Sequence, residues 1–208
     1  MVQAQNAQEY INRLRGQLTS NPNCGTTHFN LGVALMGLQQ YDEAEKAFFE
    51  AIDCSPSLAE AYVQLGGICL HRNDVEGCLS FNQRATKARA GFSIGFGNIG
   101  FLELQRGNVE PAIKALQKAI SFNSKFVQAY TTLGSAYLMQ GLVDEAIAAH
   151  KKALSIEPDF PIAYNNLAIA LLEKGDTAGA VESFDKAVSL GYAPEPGLAS
   201  EIDAVRTA

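Results

Sequence analysis

The feature that most constrains the fold is a sequence repeat whose period is the step from Leu133 to Leu167. The segment Val127–Phe160 can be laid over the chain in five copies without an insertion. At each step, Leu133 corresponds to another aliphatic residue, namely Leu31, Leu65, Ile99 and Leu167. The small residue that follows it recurs too, as Gly32, Gly66, Gly100, Gly134 and Ala168. A fixed period of this length predicts stacked supersecondary units rather than one globular core.

Each copy has the pattern of two helices. In Val127–Phe160, Tyr130, Leu133 and Tyr137 lie on one helical face, Gly141 interrupts the pattern, and a second periodic run stops at Pro158. Because one helix pair cannot bury its apolar face alone, neighbouring pairs must stack. We therefore predict repeats at 25–58, 59–92, 93–126, 127–160 and 161–194. Residues 1–24 form a half-repeat helix in this interpretation, and residues 195–208 form a C-terminal capping helix.

The period and its residues resemble the tetratricopeptide repeat, whose pattern is W-x2-L-G-x2-Y, then A-x3-F, then P. The first copy matches this pattern with His28, Leu31, Gly32, Leu35, Ala44, Phe48, Ala51 and Pro56. The second and third copies depart most, because Asn82 replaces the aromatic residue and Ala90 and Ser124 replace the proline. The resemblance covers about residues 25–194. It implies an all-α, right-handed α-solenoid of five helix–turn–helix units with no strands.

Composition and charge restrict the class of partner. The chain has 22 acidic and 16 basic residues, which argues against nucleic acid, because phosphate binding needs clustered Lys and Arg. No apolar run approaches the roughly 20 residues that span a bilayer. The first ten residues lack the basic and apolar regions of a secretory signal. Four cysteines without a C-x-x-C pair favour free thiols over a metal or redox pair, and we expect a cytoplasmic protein.

No sequence motif predicts catalysis. Residues 95–100 match the dinucleotide fingerprint G-x-G-x-x-G, but that motif requires a preceding strand, and here it falls inside a predicted helix. Carboxylates such as Glu43, Asp144 and Glu145 begin second helices, where negative charge suits the helix dipole. We therefore predict no enzyme activity, catalytic residue, metal or cofactor.

The resemblance to tetratricopeptide repeats implies a concave groove lined by the first helices. The residue before each pattern leucine points into it and would form a polar ladder for a peptide main chain: Asn30, Gln64, Asn98, Thr132 and Asn166. Neighbouring inward positions add Phe29, Val33, Val63, Ile94, Gly97, Phe101, Thr131, Ser135, Asn165 and Ile169. None of these is Lys or Arg, which argues against a terminal carboxylate as ligand. We expect an apolar side chain of the ligand to bind at Gly97. The alternative is that these residues only follow the repeat consensus and that Gly95 and Gly97 only make the helix more flexible.

The sequence thus predicts a non-enzymatic adaptor or scaffold that binds a peptide or helical segment of a protein partner. One alternative is a self-assembling scaffold, in which Tyr10 and Leu14 of the N-terminal helix dock onto another subunit. Tyr10 occupies a position that is small in the other copies, which suggests either a simple cap or such a docking surface. Another alternative is the non-catalytic subunit of an enzyme complex.

Overall fold

The fold is all-α, as predicted. The computed structural model describes residues 2–206, with side chains from residue 6. Over this range the chain forms twelve helices and no strand: α1 (Val2–Ser20), α2 (Gly25–Gly37), α3 (Tyr41–Cys54), α4 (Ala59–His71), α5 (Val75–Ala88), α6 (Ser93–Gln105), α7 (Val109–Phe122), α8 (Val127–Met139), α9 (Val143–Ile156), α10 (Pro161–Lys174), α11 (Thr177–Ser189) and α12 (Pro196–Arg206). Each predicted repeat corresponds to one helix pair, from α2–α3 to α10–α11.

The turn inside each pair depends on one recurring backbone conformation. Once in every repeat, a residue just after the first helix takes a positive φ: Gln39, Asn73, Gly107, Gly141 and Gly175. Glycine adopts this left-handed conformation without steric cost, and it is the usual residue after a helix C-terminus. Gln39 at φ 59° is the least suited of the five, because its Cβ crowds the backbone there.

The recurring small residue allows the two helices of a repeat to cross closely. A Cβ atom added to Gly32 would lie 2.6 Å from the Phe48 ring, and one added to Gly100 would lie 2.5 Å from Leu116 Cγ. Distances this short are not tolerated in a packed interior. The small residue is therefore required by the large side chain of the second helix that faces it.

Three of the second helices begin after an N-cap residue of a preferred type: Asp74 before α5, Asn108 before α7 and Asp176 before α11. The Asp74 and Asp176 carboxylates accept hydrogen bonds from the backbone N–H groups of Gly77 and Gly179. Asn108 also occupies the N-cap position, of α7, but its side chain makes no capping bond. The two aspartates accept from the residue three positions further on, and after Asn108 that residue is Pro111, which has no N–H. The Asn108 amide nitrogen donates to Glu103 Oε2 at 2.7 Å.

The chain divides into two compact units, one ending at Asn98 and the other beginning at Ile99, within α6. The core of the N-terminal unit includes Ile11, Leu35, Phe48, Leu65 and Ile68, all at most 2% exposed. The C-terminal unit buries Leu116 and Ile202 completely. Ile202 of α12 packs with residues of α10 and α11, as a capping helix requires.

Candidate functional site

The residues predicted to bind a partner lie on the first helices of the repeats, and they differ in how far they are exposed. All five ladder residues are half-buried. The inward positions that are exposed carry apolar side chains between 40% and 45% exposed: Val33 and Ile94 in the N-terminal unit, and Phe101 and Ile169 in the C-terminal unit. Gly97, Thr131 and Asn165 are buried.

In the N-terminal unit, part of the ladder is occupied by internal contacts. The Asn98 amide donates to Asn82 Oδ1 at 2.8 Å, and Asn82 in turn donates to the Cys78 carbonyl at 2.9 Å. Asn82 is 1% exposed, so this bond satisfies a buried acceptor and links α5 to α6. Asn30 and Gln64 make no side-chain hydrogen bond within the described part of the chain, and their amides are available to a ligand.

Phe29, another of the predicted partner-binding residues of the N-terminal unit, packs against the core. The Phe29 ring packs against Phe48, with ring centroids 5.8 Å apart. Gly95 has a packing role that the sequence left unexplained, because a Cβ there would meet Thr86 Cγ2 at 2.9 Å and the Asn82 carbonyl at 3.3 Å. The absence of a side chain therefore lets α6 approach α5 closely. The apolar anchor site expected at Gly97 stays a prediction.

In the C-terminal unit, the polar inward residues bond mostly to their own repeats. Thr131 and Thr132 donate their hydroxyl hydrogens to the carbonyls of Val127 and Gln128, at 3.0 and 2.9 Å. Asn166 donates to Ser135 Oγ at 3.2 Å and so connects α10 with α8. These side chains keep oxygen atoms that can accept a hydrogen bond, but they offer fewer donors than the ladder prediction implied.

Charge is kept away from the predicted partner-binding positions, none of which is ionisable. The ion pairs join other parts of the repeats: Arg15 with Glu43, Arg72 with Asp42 and Glu45, and Lys174 with Asp144. The predicted partner-binding positions are therefore neutral, although the chain as a whole carries a formal charge of −6.

The two residues predicted for subunit docking, Tyr10 and Leu14, differ in exposure. Leu14 is 4% exposed and packs in the core, so it holds α1 in place. Tyr10 is 36% exposed, with the Arg13 guanidinium carbon 5.0 Å from the centre of its ring. Tyr10 also lines a pocket of ≈ 490 Å³ between α1 and α2, which the sequence reasoning missed. The signal for it is the pair of small residues Ala7 and Gly37, which lie where the next repeat has two aromatic rings.

Burial perturbs three titratable groups, His150, Cys69 and Cys78. His150 is completely buried, neither ring nitrogen has a hydrogen-bond partner, and desolvation lowers its pKa to about 4. Burial raises the pKa of the Cys69 and Cys78 thiols, which both lie in the core. Within residues 2–206, no group of three His, Cys, Asp or Glu side chains is arranged to hold a metal ion. No helix in this range has the length and apolarity needed to cross a membrane.

Comparison with known proteins identifies the class of repeat. Family models described as TPR repeat or tetratricopeptide repeat match residues 3–59, 29–91, 100–141, 140–175 and 162–190. These matches follow the helix pairs of both units. The chain belongs to the tetratricopeptide-repeat family.

Several solved structures are similar to this chain. MamA is 26% identical, with a TM-score of 0.66 over 77% of this chain and 94% of its own. YrrB, described as a TPR protein with an unusual peptide-binding site, is 19% identical, with a TM-score of 0.70 over 92% of this chain and 97% of its own. TTC0263 from Thermus thermophilus is 23% identical, with a TM-score of 0.64 over 89% of this chain and all of its own. The last two show the fold alone, and no curated protein matches the sequence.

Proposed function

We propose that this protein is a non-enzymatic adaptor that holds a peptide or helical segment of a partner protein in a groove lined by its first helices. The observation that carries the proposal is the chemistry of the partner-binding positions. They combine exposed apolar side chains, such as Val33, Ile94, Phe101 and Ile169, with polar side chains and no charge. Such a surface suits a segment that is itself largely uncharged.

The contacts explain how a segment of this kind would be held. The unpaired amides of Asn30 and Gln64 offer both a donor and an acceptor to the main chain of a ligand. Exposed apolar residues at the same level of the helices would take alternate side chains of an extended segment, or one face of a helical segment. A ligand that depends on its terminal carboxylate would find no Lys or Arg at these positions.

Peptide display against the immobilised protein tests this proposal directly. We expect enriched sequences with few charged residues, and we expect the enriched peptides to bind the Phe101→Ala/Asn98→Ala variant at least about tenfold more weakly. Phe122→Ala is a matched control, because Phe122 is 54% exposed but lies at the end of a second helix. Since Asn98 bonds to Asn82, circular dichroism must first show that the double variant is folded. Undiminished peptide binding by a folded double variant contradicts the proposal.

The proposal includes a cytoplasmic location and excludes catalysis by this chain. Self-assembly through Tyr10 and service as a non-catalytic subunit are the alternatives. Light scattering at several protein concentrations distinguishes the first of them, because only self-assembly predicts a mass that grows with concentration.

A further inference from the structure

One junction between repeats shows what this fold places between a second helix and the following first helix. Tyr41, which begins α3, stacks on His71, which ends α4, with ring centroids 4.1 Å apart and ring planes at 28°. Beside this pair, Arg72 donates to Asp42 at 2.8 Å and to Glu45 at 3.0 Å. Two aromatic rings and a charged bridge therefore close the space between these helices.

The corresponding space between α1 and α2 is open. One repeat before Tyr41, His71 and Arg72, the chain has Ala7, Gly37 and Leu38. The side chains removed by these replacements leave the pocket of ≈ 490 Å³, lined by Ala7, Tyr10, Asn30, Val33, Ala34, Gly37 and Leu38. The pocket therefore exists because the smallest residues occupy a position where the next repeat stacks two rings.

The pocket also lacks the charge found at other junctions. In the C-terminal unit, the positions equivalent to Arg72 and Asp42 form the bridges Gln140–Glu110, at 3.2 Å, and Lys174–Asp144, at 2.8 Å. At the first junction the equivalent residues are Leu38 and Gln8, and the aliphatic Leu38 cannot form such a bridge. No residue that lines the pocket is ionisable except the Tyr10 phenol, and Arg13 is not among the lining residues. The pocket is thus complementary to an uncharged group.

We propose that this pocket binds an uncharged aromatic side chain, tyrosine or phenylalanine, from the segment that the protein holds. The bound ring takes the place that Tyr41 takes at the next junction. The inference deepens the proposed function and rests on it, because Asn30 and Val33 belong to the partner-binding positions.

The physical argument is one of shape and solvation. Aromatic side chains bury about 150–250 Å² each, more than aliphatic ones, and the pocket supplies the Tyr10 ring together with Val33 and Leu38 as apolar walls. A Lys or Glu side chain would lose hydration in the pocket without gaining a partner. The Asn30 amide, which bonds to no other side chain in the described chain, can accept from a tyrosine hydroxyl or pair with the ligand backbone.

Capped peptides of the form acetyl-Gly-Ser-X-Ser-Gly-amide test the pocket, with X as Tyr, Phe, Leu, Lys or Glu. Backbone N–H signals of Val33 and Gly37 are followed by two-dimensional NMR up to about 5 mM peptide, because one side chain gives millimolar affinity at best. Ala7→Tyr/Gly37→His recreates the closed junction, and a Cβ at Gly37 meets no atom within 4 Å. Gly16→His is the matched control, since Gly16 lies on the same helix as Ala7, is as free of contacts as Gly37 and does not line the pocket.

We expect the Tyr and Phe peptides to shift these signals saturably, at least about threefold more tightly than the Leu peptide, with no saturation for Lys or Glu. Binding should vanish in Ala7→Tyr/Gly37→His and persist in Gly16→His. The inference is overturned if no aromatic peptide shifts the signals, if the charged peptides bind equally, or if the closed variant still binds. Peptides from the display experiment that bind the closed variant as well as the parent would also overturn it, while leaving the adaptor function intact.

Discussion

His150 tests whether a polar ring buried at a helix crossing makes the stability of this fold depend on pH. It occupies the second-helix position held by Phe48 and Phe184 in the first and fifth repeats. A Cβ added to Gly134 would lie 2.4 Å from the imidazole, so the ring fills the helix crossing as phenylalanine does elsewhere. Unlike phenylalanine, it carries two ring nitrogens that are buried without a hydrogen-bond partner.

The pH dependence follows from the lowered pKa of this ring. Between pH 6.5 and about 4 the unfolded chain binds a proton at His150 and the folded chain does not, so acidification favours unfolding in that window. The difference between the two pKa values corresponds to about 3 kcal/mol of stability lost from pH 7 to pH 4, at about 1.4 kcal/mol per pH unit. Above pH 6.5 both states hold a neutral ring, and His150 adds no pH dependence.

The perturbation is His150→Phe, which removes both unpaired nitrogens and the titration. We expect it to raise stability at pH 7 by about 1–3 kcal/mol, the cost of a buried unsatisfied polar group. As the pH falls to 4, the difference in free energy of unfolding between variant and parent should increase by about 3 kcal/mol more. Urea unfolding followed by circular dichroism at several pH values measures both effects. Because the same carboxylates titrate in the variant and the parent, their contribution cancels in the difference between the two free energies of unfolding.

A reciprocal variant provides the control. Phe184→His places an imidazole at the equivalent position of the fifth repeat, where Phe184 is 7% exposed. This variant should acquire a steeper loss of stability below pH 6.5 than the parent shows. Equal pH slopes for His150→Phe and the parent would refute the reasoning, because they would mean that the buried ring gains a proton as easily in the folded chain as in the unfolded one.

Three further predictions concern packing and reactivity. Leu133→Ala, at a site 6% exposed in a repeat with neighbours on both sides, should cost about 2–5 kcal/mol in urea unfolding, whereas Met139→Ala, at a site 58% exposed, should cost little. Gly100→Ala should destabilise the chain by about 1–3 kcal/mol in the same assay, since its Cβ would meet Leu116, while Gly37→Ala, with no atom within 4 Å, should not. In thiol labelling at pH 7, Cys24 should react first, because the Thr27 hydroxyl donates to its sulfur and lowers the pKa of the thiol. Cys69 and Cys78 should react only on unfolding, because burial raises the pKa of both thiols. Equal labelling rates for the three cysteines would contradict this order.

The sequence alone determined the helix pairs. The spacing of Leu133, Gly134 and their counterparts predicts the first helices, and the position that takes a positive φ recurs with the same period. These features are local, or are repeated in every unit, because each unit must bury the same face against its neighbours. Such patterns are visible in a single chain without knowledge of its three-dimensional contacts.

The tertiary structure alone decided which of the inward side chains are available. Asn98 is engaged by Asn82, 16 residues away, and Asn166 by Ser135, 31 residues away, and neither bond follows from the repeat period. The pocket beside Ala7 and Gly37 likewise depends on two helices meeting where both residues are small. A repeat fixes the backbone that all copies share, but hydrogen bonds and cavities depend on side chains that differ from copy to copy and meet only when the repeats stack.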